Sequence, residues 1–97
     1  MQNLDREFEW DKQKNIKNQE KHGISFEDVI GVFKYPMFNE IDERYDYGEV
    51  RFIGIGKKMT VYFTIVYTER GERIRIISAR KSHKKERLKY DNYYSKS

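Results

Sequence analysis

The stretch YTERGERIRIISARKSHKKERLKY, residues 67–90, carries in order an apolar strand end, a glycine turn, a strand bearing arginines and a basic helix. Each piece fixes where the cations of the next can point. Glu69-Arg70-Gly71-Glu72 reads as a hairpin turn, with the glycine available for a positive φ. In the strand beyond it, period-two alternation puts Ile74, Ile76, Ser78 and Arg80 on one face and Arg73, Arg75, Ile77 and Ala79 on the other. Ser82 is the expected N-cap of a closing helix, in which His83, Glu86, Arg87, Tyr90 and Tyr94 fall at helical spacing. Nine Lys/Arg against three Glu give the stretch +6 while the whole chain is +4, so everything outside it sums to −2. Positive charge concentrated in this way is the footprint of a phosphate-bearing partner.

Upstream of that stretch the chain prepares a sheet. Residues 60–68 are β-branched and aromatic at most positions and predict a central strand covered on both faces. Val50, Phe52 and Gly54 alternate with Arg51, Ile53 and Ile55 in the strand before it, and Gly56-Lys57-Lys58 is the expected turn between the two. Further back, Ser25 with Asp28 makes a short capping box, and Phe26, Val29, Ile30 and Phe33 fall at i, i+3, i+4 and i+7, the spacing of a core-facing helix. The only proline, Pro36, ends that helix, and residues 37–41 follow as a short edge strand before an acidic loop over residues 42–49.

Nearer the start, Phe8 and Trp10 alternate with Glu7, Glu9 and Asp11 as a short strand. Asp11 caps a surface helix that ends at Gly23, its half-buried stripe expected to be Asn15, Gln19 and His22. The expected architecture is therefore α+β, in the order β-α-α-β-β-β-β-α, with a twisted antiparallel sheet packed against helices. All 97 residues are read as one domain, its tail fraying after Tyr94.

Composition narrows the function. With 37% charged residues yet 15% aromatics the chain is polar but supplied with rings for a core, so an ordered surface-acting domain is expected. Without cysteine and with only His22 and His83, neither disulfides nor a structural zinc site is expected, and no cofactor is called for. No apolar run approaches a membrane span and the first residues lack a signal peptide's apolar region, which points to the cytoplasm.

Five pieces in order now form a pattern: Phe8-Glu9-Trp10-Asp11; Lys21-His22-Gly23 with Ser25-Phe26-Glu27; Tyr67-Thr68-Glu69-Arg70; Arg75-Ile76-Ile77-Ser78-Ala79-Arg80; and Glu86-Arg87 with Tyr90. Together they resemble the BrnT family of toxins from bacterial type II toxin–antitoxin systems, over nearly the whole chain. The resemblance implies a compact fold similar to RelE-type toxins and a ribonuclease activity. It also implies a BrnA-like antitoxin that neutralises the toxin and supplies operator DNA binding. The sequence departs from the pattern over residues 37–49 and in its tyrosine-rich tail.

Cutting RNA without a metal needs a base for the 2′-hydroxyl proton, cations for the phosphorane and an acid for the leaving 5′-oxygen, and leaves a 2′,3′-cyclic phosphate. Arg80 ends the last strand just before the final helix, where its guanidinium and the helix N–H groups can converge on one phosphate; the alternative is that it only pairs with Glu86. His22 suits proton transfer in either direction, or serves as a helix-end residue. Glu86 is the other candidate base, against a salt bridge within the helix. Lys21 and Arg70 are further candidate phosphate contacts, each also readable as a solvated cation. Lys81, Lys84, Lys85 and Arg87 form the expected RNA-tracking face, and Trp10 and Tyr90 are either base-stacking rings or core. Two other classes compete: a noncatalytic nucleic-acid-binding module, and a protein-interaction domain whose basic face holds an acidic partner.

Overall fold

A computed structural model describes residues 6–95 of the chain. Strand β1 (Glu7–Trp10) leads into α1 (Lys12–His22), then α2 (Phe26–Val29) continues into a 3-10 turn (Ile30–Lys34). Strands β2 (Met37–Ile41), β3 (Phe52–Lys58), β4 (Val61–Arg70) and β5 (Arg73–Lys81) follow, and α3 (Lys84–Ser95) closes the fold. The order is the expected one and the class is α+β. Helix α3 includes Ser95, and the rest of the tail, 96–97, lies outside the described residues, as do residues 1–5 at the other end.

The sheet runs β1-β5-β4-β3-β2, and it is mixed, not antiparallel throughout: β1 joins the edge of β5 in parallel. Charge selects that register. Glu7 lies opposite Arg73 and Glu9 opposite Arg75, with ion pairs of 3.1 Å and 3.0 Å on one face, while Phe8 and Trp10 meet Ile74 and Ile76 on the other. On that second face α1, α2 and the 3-10 turn cover the core of Phe26, Val29, Val32, Ile65 and Ile76. Val32 is buried off the simple helical stripe because the chain tightens to 3-10 geometry after Val29. Gly56 belongs to β3 and is not a turn residue: a Cβ there would lie 2.3 Å from Val32 Cγ1. The turn falls instead after Lys58, with Met59 at φ 58° and 87% exposed.

The register between β4 and β5 slips once. Val66 pairs with Ser78 and Tyr67 with Ile76, so Ile77 has no partner and bulges. Strict alternation had Ser78 and Arg80 on the core face with Ile74 and Ile76; beyond the bulge the faces exchange. Ala79 is fully buried in the core, and Arg80 turns out beside Thr64 on the face that α3 covers. The stripe of α1 also differs from expectation: Asn15 and Asn18 are buried and Gln19 is exposed. Both asparagines satisfy backbone groups of neighbouring elements, which an apolar stripe would leave unpaired.

Candidate active site

Strand β1 stops at Trp10, so β5 beyond Ile76 has no neighbouring strand on that side. Asn18 fills the gap: its amide donates to Ala79 O at 2.7 Å and to Ile24 O at 2.9 Å, and its Oδ1 accepts from Ala79 N at 3.1 Å. This clasp fixes the C-terminal turn of α1 against the end of β5. His22, one turn beyond Asn18, is brought within electrostatic reach of Arg80, the residue after Ala79. Gly23, at φ 71°, stops the helix there by donating its N–H to Gln19 O. Burial lowers the His22 imidazole below its ordinary pKa, and the Lys21 and Arg80 cations lower it further, so it is neutral at pH 7.

Arg80 is held from the other side. Its guanidinium makes a two-pronged pair with Glu86 at 2.8 Å on each arm, the side chains being 31% and 21% exposed. Glu86 Oε1 also accepts from Thr64 Oγ1 at 2.9 Å and from His83 N at 2.8 Å. Burial alone raises the Glu86 carboxyl; Arg80, His83 N–H and Thr64 together reverse this and hold it at about 2. The pair named as the bland alternative for Arg80 is therefore present. Ser82 is not the cap: α3 begins at Lys84, His83 occupies the cap position, and the Ser82 hydroxyl instead meets Thr64 Oγ1 at 2.7 Å. Thr64 and Ser82, buried beneath the pair, were not legible as site residues, since a threonine in a central strand carries no signal until its partner is known.

The remaining candidates divide. Lys21 is exposed beside His22, and Lys81, Lys84 and Lys85 are exposed around the start of α3, with no ion pair among the described residues. Arg87 is half-buried and donates to Ser82 O at 3.0 Å. Arg70 is not brought to Arg80: Thr64 is the residue opposite Arg80, and Arg70 lies six residues further along β4, about 20 Å away, near Glu49. The Trp10 ring packs edge-on against Phe26 at 6.0 Å. Tyr90 packs on Tyr62 and Tyr94, and its hydroxyl donates to Pro36 O. Both rings serve packing in this structure. Among the described residues no group of three or more His, Cys, Asp or Glu side chains is arranged to hold a metal ion, and no helix is long and apolar enough to cross a membrane.

A family model described as "Ribonuclease toxin, BrnT, of type II toxin-antitoxin system" matches residues 10–86. The chain belongs to the BrnT family. A search of curated proteins finds no match. As a BrnT member the chain is a type II toxin–antitoxin ribonuclease toxin, with an RNA target and an antitoxin partner. The matched span runs from the end of β1 into the first turn of α3, so it contains His22, Arg80 and Glu86 and stops short of Arg87 and Tyr90.

Proposed function

We propose that this BrnT toxin cleaves single-stranded RNA without a metal, by attack of the 2′-hydroxyl on the adjacent phosphate, and so arrests translation. The observation that carries the reading is the clasp of Asn18 on Ala79, which brings a neutral imidazole within electrostatic reach of the Arg80 guanidinium. His22, with its lowered pKa, accepts the 2′-hydroxyl proton; Arg80 stabilises the charge that grows on the phosphorane; the 5′-oxygen leaves with a proton from solvent. Glu86, fully ionised and with its oxygens occupied, orients Arg80 and does not transfer the proton. Lys21 neutralises the phosphate next to the cut. A BrnA-like antitoxin neutralises the toxin by covering this basic surface and supplies operator DNA binding to the complex.

The test is cleavage of a labelled single-stranded RNA in EDTA and, separately, with translating ribosomes in their Mg²⁺ buffer, with the product ends analysed. Wild type is expected to leave 2′,3′-cyclic phosphate, and Arg80→Ala and His22→Ala to lose roughly a hundredfold or more in rate while still binding RNA. Cleavage that stops in EDTA, or that survives both substitutions, sinks the mechanism. One observation favours a noncatalytic binding module: Arg80 closes fully on Glu86. A folded wild type that binds RNA and cuts in neither setting establishes that second reading.

A further inference from the structure

Beyond the Arg80–Glu86 pair, the end of the sheet carries a second feature. The Tyr62 ring is fixed in place: its hydroxyl donates to Asp91 Oδ1 at 2.8 Å, and the Tyr90 ring meets it edge-on at 5.8 Å and 89°. Beside Tyr62 opens a shallow hollow of about 330 Å³, walled by Thr60, Val61, Lys81, Ser82 and Arg87, with no carboxylate in its lining. Lys57, across from Tyr62 in the β3–β4 register, places its ammonium over the ring at 5.0 Å. Like Lys81 and Arg87, it has no ion pair among the described residues. A rigid ring, anchored by Asp91 at its hydroxyl and flanked by cations that have no ion pair among the described residues, is the equipment for one nucleotide: a face for the base, charges for its phosphate.

Tyr62 precedes Thr64, the partner of Arg80, by two residues, which is about 7 Å along the strand. We infer that the Tyr62 hollow is a nucleotide subsite, taking the base of the residue next to the scissile phosphate in a single-stranded RNA, with Lys57 and Lys81 on the phosphate that follows. This rests on the ribonuclease reading above and adds to it a path for the strand, from His22 past Arg80 to the β3–β4 turn. Stacking on Tyr62 reads no particular base, so the subsite confers affinity and register and little sequence choice. The base takes the position over the ring that the Lys57 ammonium holds in the free protein, and the ammonium moves to the phosphate.

The test separates this inference from the chemistry. Binding is measured by fluorescence anisotropy with a labelled 2′-O-methyl oligoribonucleotide, which has no 2′-hydroxyl to attack, and cleavage is followed separately with the unmodified RNA. Tyr62→Leu is expected to weaken binding roughly five- to a hundredfold, Tyr62→Phe to stay within about twofold of wild type, and Lys57→Gln to weaken it a few-fold. Tyr45→Leu, an exposed tyrosine in the connection between β2 and β3, serves as the control and should bind as wild type does. Thermal melts of each variant establish folding, and Tyr62→Trp keeps a ring if Tyr62→Leu does not fold; its retained binding, with Lys57→Gln weakened, supports the subsite. Equal affinity for wild type and Tyr62→Leu overturns it, as does equal loss in the Leu and Phe variants, or no binding by wild type. Tyr62-dependent binding without any cleavage of the unmodified RNA supports the subsite and counts against the ribonuclease mechanism alone.

Discussion

Glu86 accepts four hydrogen bonds, from both arms of Arg80, from Thr64 Oγ1 and from His83 N–H, and no two of these donors are adjacent in sequence. The carboxylate therefore joins β4, β5 and α3, and its charge is part of the fold. Its folded pKa of about 2 lies below the ordinary 4.5, so the carboxylate binds fewer protons folded than unfolded. The sign follows: its stabilisation is complete above pH 4.5 and is lost as the pH falls from there towards about 2. Between pH 7 and pH 3 the wild type should lose about 2 kcal/mol more than Glu86→Gln, as read from urea unfolding at the two pH values. Parallel losses in the two proteins would mean that the pair contributes nothing to stability. On the proposed mechanism, Arg80 exchanges at least one Glu86 contact, or shares it, when a phosphate arrives.

At the scale of elements, the decisive contact is between a helix and a strand edge. Asn18 satisfies Ala79 N–H, Ala79 C=O and Ile24 C=O with one side chain, all in the interior. Asn18→Ala leaves these groups without partners and should cost about 2–4 kcal/mol, lowering Tm by roughly 10–20 °C. On the proposed mechanism it should also lower kcat well below that of a stability-matched core variant, because the turn that holds His22 within electrostatic reach of Arg80 is released. A Tm within a degree or two of wild type would show that α1 is held by something else. The elements themselves were legible, and the Asp11 and Ser25 caps and the Pro36 stop mark ends correctly, whereas the β3–β4 turn and the cap of α3 fall one to three residues later than alternation and Ser82 suggest. What pairs with what was not. The bulge at Ile77 depends on Tyr67 and Ile76 both claiming the core, a preference between two strands that neither strand announces alone. Strict alternation therefore put Arg80 on the wrong face, while its place in sequence, between strand and helix, survives the slip. Asn18 was passed over for the opposite reason: a polar residue on a polar helix looks solvated until the edge it plugs is seen.

Across the whole molecule the charges sort by end. Where β4 and β5 meet at the hairpin, the arginines are spent on carboxylates: Arg6 on Glu69, Arg70 on Glu49, Arg73 on Glu7 and Glu9, Arg75 on Glu9. A hollow of about 880 Å³ opens there, lined by Arg6, Arg70 and Arg73 against Glu7, Glu9, Glu69 and Glu72 and so without a positive field for an anion. At the other end stand Lys21, Lys57, Lys58, Lys81, Lys84 and Lys85, exposed or half-exposed and without ion pairs among the described residues. The separation follows from side-chain chemistry, the arginine fork pairing readily with neighbouring carboxylates and lysine remaining as a hydrated point charge. An RNA strand gathering these lysines releases counterions, about 0.7 for each phosphate neutralised on a single strand. Replacing Lys84 and Lys85 together by Gln should therefore reduce the slope of log K against log salt by about 1.4, and replacing Arg70 and Arg73 should leave it unchanged. Anisotropy titrations of a non-cleavable RNA between 50 and 300 mM salt (about a sixfold range) measure both slopes. A slope that falls with the arginine pair and not with the lysines would move the RNA to the hairpin end, about 20 Å from Arg80, and separate binding from the proposed chemistry.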